Sequence, residues 1–255
     1  MNPICEKQVG FFYCISSLFQ FLLGQFKKSF KFIISIFKAQ NMTLEEYKKQ
    51  FSDDDAVGWL SIDKELDALY PDQEPKHYVP PIPYMLGGPD PLDGISVYES
   101  KKQTDHLHFV TYGFSELYYD EAKLESEFSK WGFELTFRLK PFEADNGNPS
   151  WAIALLQNIA RYVFDSGNWF EEFHYMPANG PIRLDTDTAI TALIIVADSE
   201  LEKIQTPHGE VTFLQIVGIT SAEYDQLIEN PETAEELVNK LKENNPLLIT
   251  DLTRK

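Results

Sequence analysis

Hydrophobic positions recur along this chain with two periods, and their succession predicts an α+β protein. Gly132–Leu139 (GFELTFRL) alternates: Phe133, Leu135, Phe137 and Leu139 fall on one face, and Glu134, Thr136 and Arg138 on the other. That is the pattern of a half-buried strand. His106–Tyr112 is apolar on both faces and reads as a strand inside a sheet; Ala189–Ala197 (AITALIIVA) reads as a central buried one. Thr206-Pro207-His208-Gly209 has Pro second and Gly fourth, as a type I turn prefers, and leads into a strand over Glu210–Ile219. Elsewhere the helical period takes over. Ile62, Leu66 and Leu69 share a face of a helix over Asp63–Tyr70, which Pro71 stops. Asn148 as cap and Pro149 as first residue open the clearest helix, and Gly167 ends it. Its stripe of Trp151, Leu155, Ile159, Tyr162 and Val163 is expected to face the core. Thr220 and Glu223 have capping-box spacing, Asn230-Pro231 opens a helix over Glu232–Lys242, and Leu247–Leu252 reads as a final short strand. Residues 71–93 hold seven prolines and a Gly-Gly pair, so that stretch is extended or turning. Hairpin-like and helix-separated strands in this order predict a mixed, largely antiparallel β-sheet with helices packed against it.

Charge divides the chain. Residues 1–41 carry five lysines against the single acid Glu6, a net +4, so residues 42–255 carry −22 of the overall −18. The apolar run Gly10–Gly24 is shorter than the ~20 residues of a membrane span, and no small-residue cleavage site follows it. Residues 1–41 are therefore read as an extension: either a start mis-assigned ahead of Met42, or a basic, Phe-rich segment lying on a membrane through residues 10–37. Residues 42–255 are read as one domain. With 40 acids and 22 bases the chain lacks the cationic footprint that phosphate neutralisation requires, which argues against nucleic acid as a partner. The acidity serves solubility, or steering toward a basic partner. Both cysteines, Cys5 and Cys14, precede residue 42, so the domain has neither an internal disulfide nor a thiolate metal site. A reducing, cytoplasmic location is expected.

No segment reads as a catalytic motif. His106 and His108 share a strand face, but two ligands do not make a metal site, and hydrogen-bonded sheet histidines are expected instead. Ser115 sits in a sequence like a nucleophile elbow without the second glycine. Gly87-Gly88 is followed by Pro and Asp, so it marks a turn and not a phosphate loop. Asp90 and Asp93 could serve as paired carboxylates; holding the loop by accepting backbone N–H bonds is the better reading. Tyr118 and Tyr119 are candidate binding anchors, because tyrosine offers a large contact area with a polar tip. The expectation is a non-enzymatic protein without metal or cofactor.

Four blocks in order, LGGPDPLDGISVY (Leu86–Tyr98), HLHFVTYGFSELY (His106–Tyr118), GFELTFRL and TPHGEVTFLQIVGIT (Thr206–Thr220), resemble the Suppressor of fused family. The likeness runs from about Val57 to Arg254 and includes WAIALLQNIARYVF (Trp151–Phe164) and LLITDLTR (Leu247–Arg254). It implies the N-terminal domain of a two-domain animal regulator of Hedgehog signalling, which clamps a Gli peptide as an added β-strand. In that resemblance Tyr118 matches a peptide-contacting tyrosine and Asp120 an acid just after it. Phe128-Ser129-Lys130-Trp131 replaces a loop bearing a second contacting acid. Single-domain bacterial relatives resemble immunity proteins that neutralise a toxin domain, and an acidic inhibitor of a basic toxin suits the charge. The protein-binding candidates are therefore Tyr118 and Asp120, which the resemblance implies, together with Tyr119, Asp90 and Asp93. Toxin neutralisation is the leading expectation, capture of an extended peptide by an intracellular regulator the second. A hydrolase using His108 with Asp90 or Ser115 is the third.

Overall fold

A computed structural model describes residues 42–147 and 149–255. The N-terminal extension and the expected cap Asn148 lie outside the described residues. Helices α1 (Leu44–Gln50) and α2 (Val57–Leu69) come first. Strands β1 (Lys76–Tyr78), β2 (Gly94–Ser100), β3 (His106–Tyr112) and β4 (Phe128–Leu139) follow, then α3 (Ser150–Ser166). The chain continues through β5 (Tyr175–Pro177), β6 (Ile190–Ala197), β7 (Ile204–Thr206) and β8 (Gly209–Thr220). It ends with α4 (Ser221–Glu229) and α5 (Ala234–Asn244). The strands form one sheet in the order β1-β2-β3-β4-β8-β6-β5, with β7 paired to β8. Every pair is antiparallel except β4–β8, so the sheet is mixed and largely antiparallel.

Both sheet faces are covered. Phe133, Leu135, Phe137 and Leu139 point together, as the alternation predicts, and pack with Phe109, Ile195 and Ile216 under α3. On the other face α2 covers Tyr98, Val110, Tyr112 and Phe213, while α4 and α5 cover Ile194, Val196, Val217 and Ile219. This second cover corrects the half-buried reading of Gly132–Leu139. Glu134, Thr136 and Arg138 are each 0% exposed and bond buried partners, although Arg138 Nε has none among the described residues. Arg138 lies 3.0 Å from Asp198 Oδ1 and 2.9 Å from Glu200 Oε2, and Thr136 Oγ1 donates to Asp198 at 2.6 Å. Arg138 Nη1 is 3.3 Å from His106 Nε2.

Local signals place several ends. Thr220 and Glu223 make both bonds of the capping box, and Gly167 closes α3 with a left-handed φ of 75°. Pro207-His208 links β7 to β8 as a tight hairpin. Three expectations fail for tertiary reasons. Helix α2 starts six residues before Asp63, because the Leu117 carbonyl accepts the Gly58 N–H at 2.9 Å. The α3 stripe is rotated from its expected place. Ala152, Leu156, Ile159, Ala160 and Val163 are buried, whereas Trp151 and Leu155 are half-buried and Tyr162 is 50% exposed. Leu247–Leu252 makes only a single parallel bridge, Thr250 to Leu139. Side chains take its backbone groups instead: Gln215 donates to the carbonyls of Leu247 and Leu248, and Asn245 bonds both N–H and C=O of Ile249.

Candidate protein-binding surface

The loop after β3 is built around a buried carboxylate. Glu134, on β4, accepts from Thr111 Oγ1 (2.7 Å), the Gly113 N–H (3.0 Å), the Ser115 N–H (2.9 Å) and Ser115 Oγ (2.6 Å). Burial raises its carboxyl above the usual range, and the four donors oppose that rise. Gly113 takes a φ of 139°, with Asp93 N and Leu92 Cα 3.0 Å from where a Cβ would stand. These restraints drive Leu117 into the core, 1% exposed, and turn Tyr118 outward, 48% exposed.

The Tyr118 hydroxyl meets the Asp93 carboxylate, and both groups titrate above their ordinary values. For Asp93 burial is the main cause, opposed by Lys130 and the Tyr118 hydroxyl; for Tyr118 it is burial, then Asp93. Lys130 stands in a bulge of β4 with φ 55° and donates to the Gly113 carbonyl at 2.6 Å. Its ammonium also lies 4.8 Å from the centre of the Phe164 ring, which Tyr84 meets edge-on at 5.6 Å. Phe128 is 53% exposed, and Met85 and Leu86 more so. Half-buried Asp93 and exposed Lys130 thus lie on the segments that also expose these apolar side chains, and polar and apolar groups together are the composition of a protein-contact surface.

The five residues singled out from sequence separate here. Tyr118 and Asp93 share this surface. Tyr119 stacks on Tyr47 of α1 at 4.8 Å and donates its hydroxyl to Glu121. Asp120 caps the turn Glu121–Lys123 by accepting from the Ala122 N–H. Asp90 binds Arg161 of α3 at 2.5 Å. Asp90 and Asp93 therefore hold the loop through side chains, not through the backbone N–H groups expected. Lys130, Phe128 and Phe164 were missed: only the tertiary contact brings β4, α3 and the β3–β4 loop together.

The residues considered for chemistry are occupied separately. Ser115 is 2% exposed and donates to Glu134. His108 Nδ1 pairs with the Tyr70 hydroxyl at 2.7 Å, and His106 Nδ1 with the Thr104 carbonyl at 2.8 Å. With Asp90 on Arg161, His108, Ser115 and Asp90 form no common site. The expected pair of hydrogen-bonded sheet histidines is present.

The fold is a mixed sheet packed on both faces around one central parallel pair, with an exposed tyrosine on a hydrogen-bonded loop. The chain matches the family model for Suppressor of fused protein (SUFU) over residues 88–255, and it belongs to that family. The human Suppressor of fused homolog is 36% identical over 209 residues, covering 77% of this chain and 43% of its own length. The chain therefore spans less than half of that relative. A solved structure of the Sufu–Fu complex superposes with a TM-score of 0.70 at 30% identity, covering 79% of this chain and 92% of that one. A putative homolog from Neisseria gonorrhoeae shares the fold, with a TM-score of 0.54 at 17% identity over 78% of this chain and 95% of its own.

Proposed function

We propose that Leu44–Lys255 is a non-enzymatic protein-binding domain that captures an extended segment of a partner across Tyr118, Phe128 and Lys130. The observation that carries this reading is Tyr118: a large side chain turned to solvent by a loop that three hydrogen bonds to Glu134 hold in place. Pre-organisation of this kind lowers the ordering cost of binding. Kinship with a protein solved as a Sufu–Fu complex supports a protein partner. Lys130 beside Asp93 favours a partner that does not bring a cation to that point. Fu, the partner named for that relative, is the first probe, followed by peptides selected on the full chain. Tyr118→Ala should weaken capture by about tenfold or more while leaving the fold intact. Binding equal to that of the wild type would remove this surface from the function.

A second reading is neutralisation of a basic toxin domain, favoured by the −22 net charge of residues 42–255. It predicts a complex that weakens steeply with salt and a neighbouring toxin gene whose product this chain silences on co-expression. Survival equal to that of cells with the toxin alone would dismiss it.

A further inference from the structure

The apolar stripe of α3 that does not enter the core faces a groove of about 1360 Å³. Trp151, Leu155 and Tyr162 form one wall; β5 and residues 178–184 form the other, with Leu193 of β6 in the lining. Trp169, 58% exposed, and Leu184, 78% exposed, are also part of its walls. In the middle of the stripe stand Ala154 and Asn158, both exposed and short, where another helix can approach closely. From Trp151 to Tyr162 the stripe runs roughly three helical turns.

The lining segments carry a one-sided charge. Glu143, Asp165, Glu172 and Asp185 are exposed on them, without ion-pair partners among the described residues. Arg183, a cation of the groove wall, is held by Asp145 at 2.8 Å. Strand addition is disfavoured at this edge. The Ala178 N–H bonds inward to Thr191, so by alternation position 177 faces outward, and there Pro177 has no N–H to donate.

We propose that this groove docks an amphipathic helix of a protein partner, about three turns long, with an apolar face and Lys or Arg at its flanks. The exposed acids on the lining segments favour the basic flanks; the apolar walls select the face. This second docking site does not depend on the Tyr118 surface.

The test uses the full chain and a labelled Leu/Lys model peptide of roughly three turns, followed by fluorescence anisotropy. The comparisons are a scrambled peptide of the same composition and a Leu/Glu version. The Leu/Lys peptide should bind, with both comparison peptides weaker by about tenfold or more. Ala154→Gln, on an exposed helical position that favours Gln, should weaken it by about tenfold. Leu184→Gln on the opposite wall should do the same, while Tyr118→Ala leaves it unchanged. The proposal is overturned by no binding, by equal binding of the scrambled peptide, or by wild-type affinity in both groove variants. A dimer of the chain that Ala154→Gln dissociates would overturn it too, because a second copy would then be the occupant.

Discussion

Glu134 holds the proposed binding surface in place from beneath, itself fully buried. Its two oxygens collect three donors from the loop that presents Tyr118 and a fourth from Thr111 of β3. Glu134→Ala should leave the Gly113 and Ser115 N–H groups buried without acceptors, at a cost of about 3 kcal/mol or more. Urea denaturation measures that loss, and hydrogen exchange should rise at Gly113 and Ser115. Glu134→Gln keeps an acceptor and should cost less. The strand pattern identifies the face on which Glu134 lies, but not that this face is buried. Alternation reports which side chains point together, not what covers them.

At the scale of elements, ends set by neighbouring residues behave differently from ends set by distant ones. The capping box at Thr220 is local, so its residues announce it. Thr220→Ala should cost about 1 kcal/mol and speed exchange at the Glu223 N–H. The start of α2 is set at a distance: a Cβ on Gly58 would lie 1.9 Å from the Glu116 carbonyl oxygen. Gly58→Ala should therefore destabilise the fold by about 1–3 kcal/mol despite alanine's better helix propensity, as thermal unfolding would show. An unchanged or raised melting temperature would mean that α2 does not dock this closely.

For the whole molecule, the decisive feature is a buried ionic network joining β3, β4 and residues 198–200. Burial, and then Arg138, depress His108 to about 4. Burial alone would raise Asp198, but His108, Arg138 and Thr136 outweigh it and hold its carboxyl well below the usual range. The signs agree. His108 stays neutral in the fold while the unfolded chain takes up a proton below about pH 6.5, so stability is complete above that pH and falls toward pH 4. For His108 alone the loss is roughly 3 kcal/mol at most. Asp198 adds a loss at still lower pH, as its unfolded form takes up a proton first. Glu134, whose carboxyl is raised, acts in the opposite direction. Melting temperatures should be flat above about pH 6.5 and decline below it, with a shallower decline in His108→Gln. An equal slope in that variant would assign the acid sensitivity to other groups.

By itself the sequence determined the α+β class, most of the strands, the Thr220 and Gly167 helix ends and the family. Each of these rests on side-chain periodicity, on backbone preferences within a few residues, or on short ordered blocks. The tertiary structure alone decided that Glu134, Thr136 and Arg138 are buried and that α3 turns Trp151 and Tyr162 toward a groove. It also separated Tyr118 with Asp93 from Tyr119, Asp120 and Asp90, which brace the loops. Burial, ion pairing and surface composition depend on which distant segments meet, and that follows only when α2 and α3 close over the two faces of the sheet.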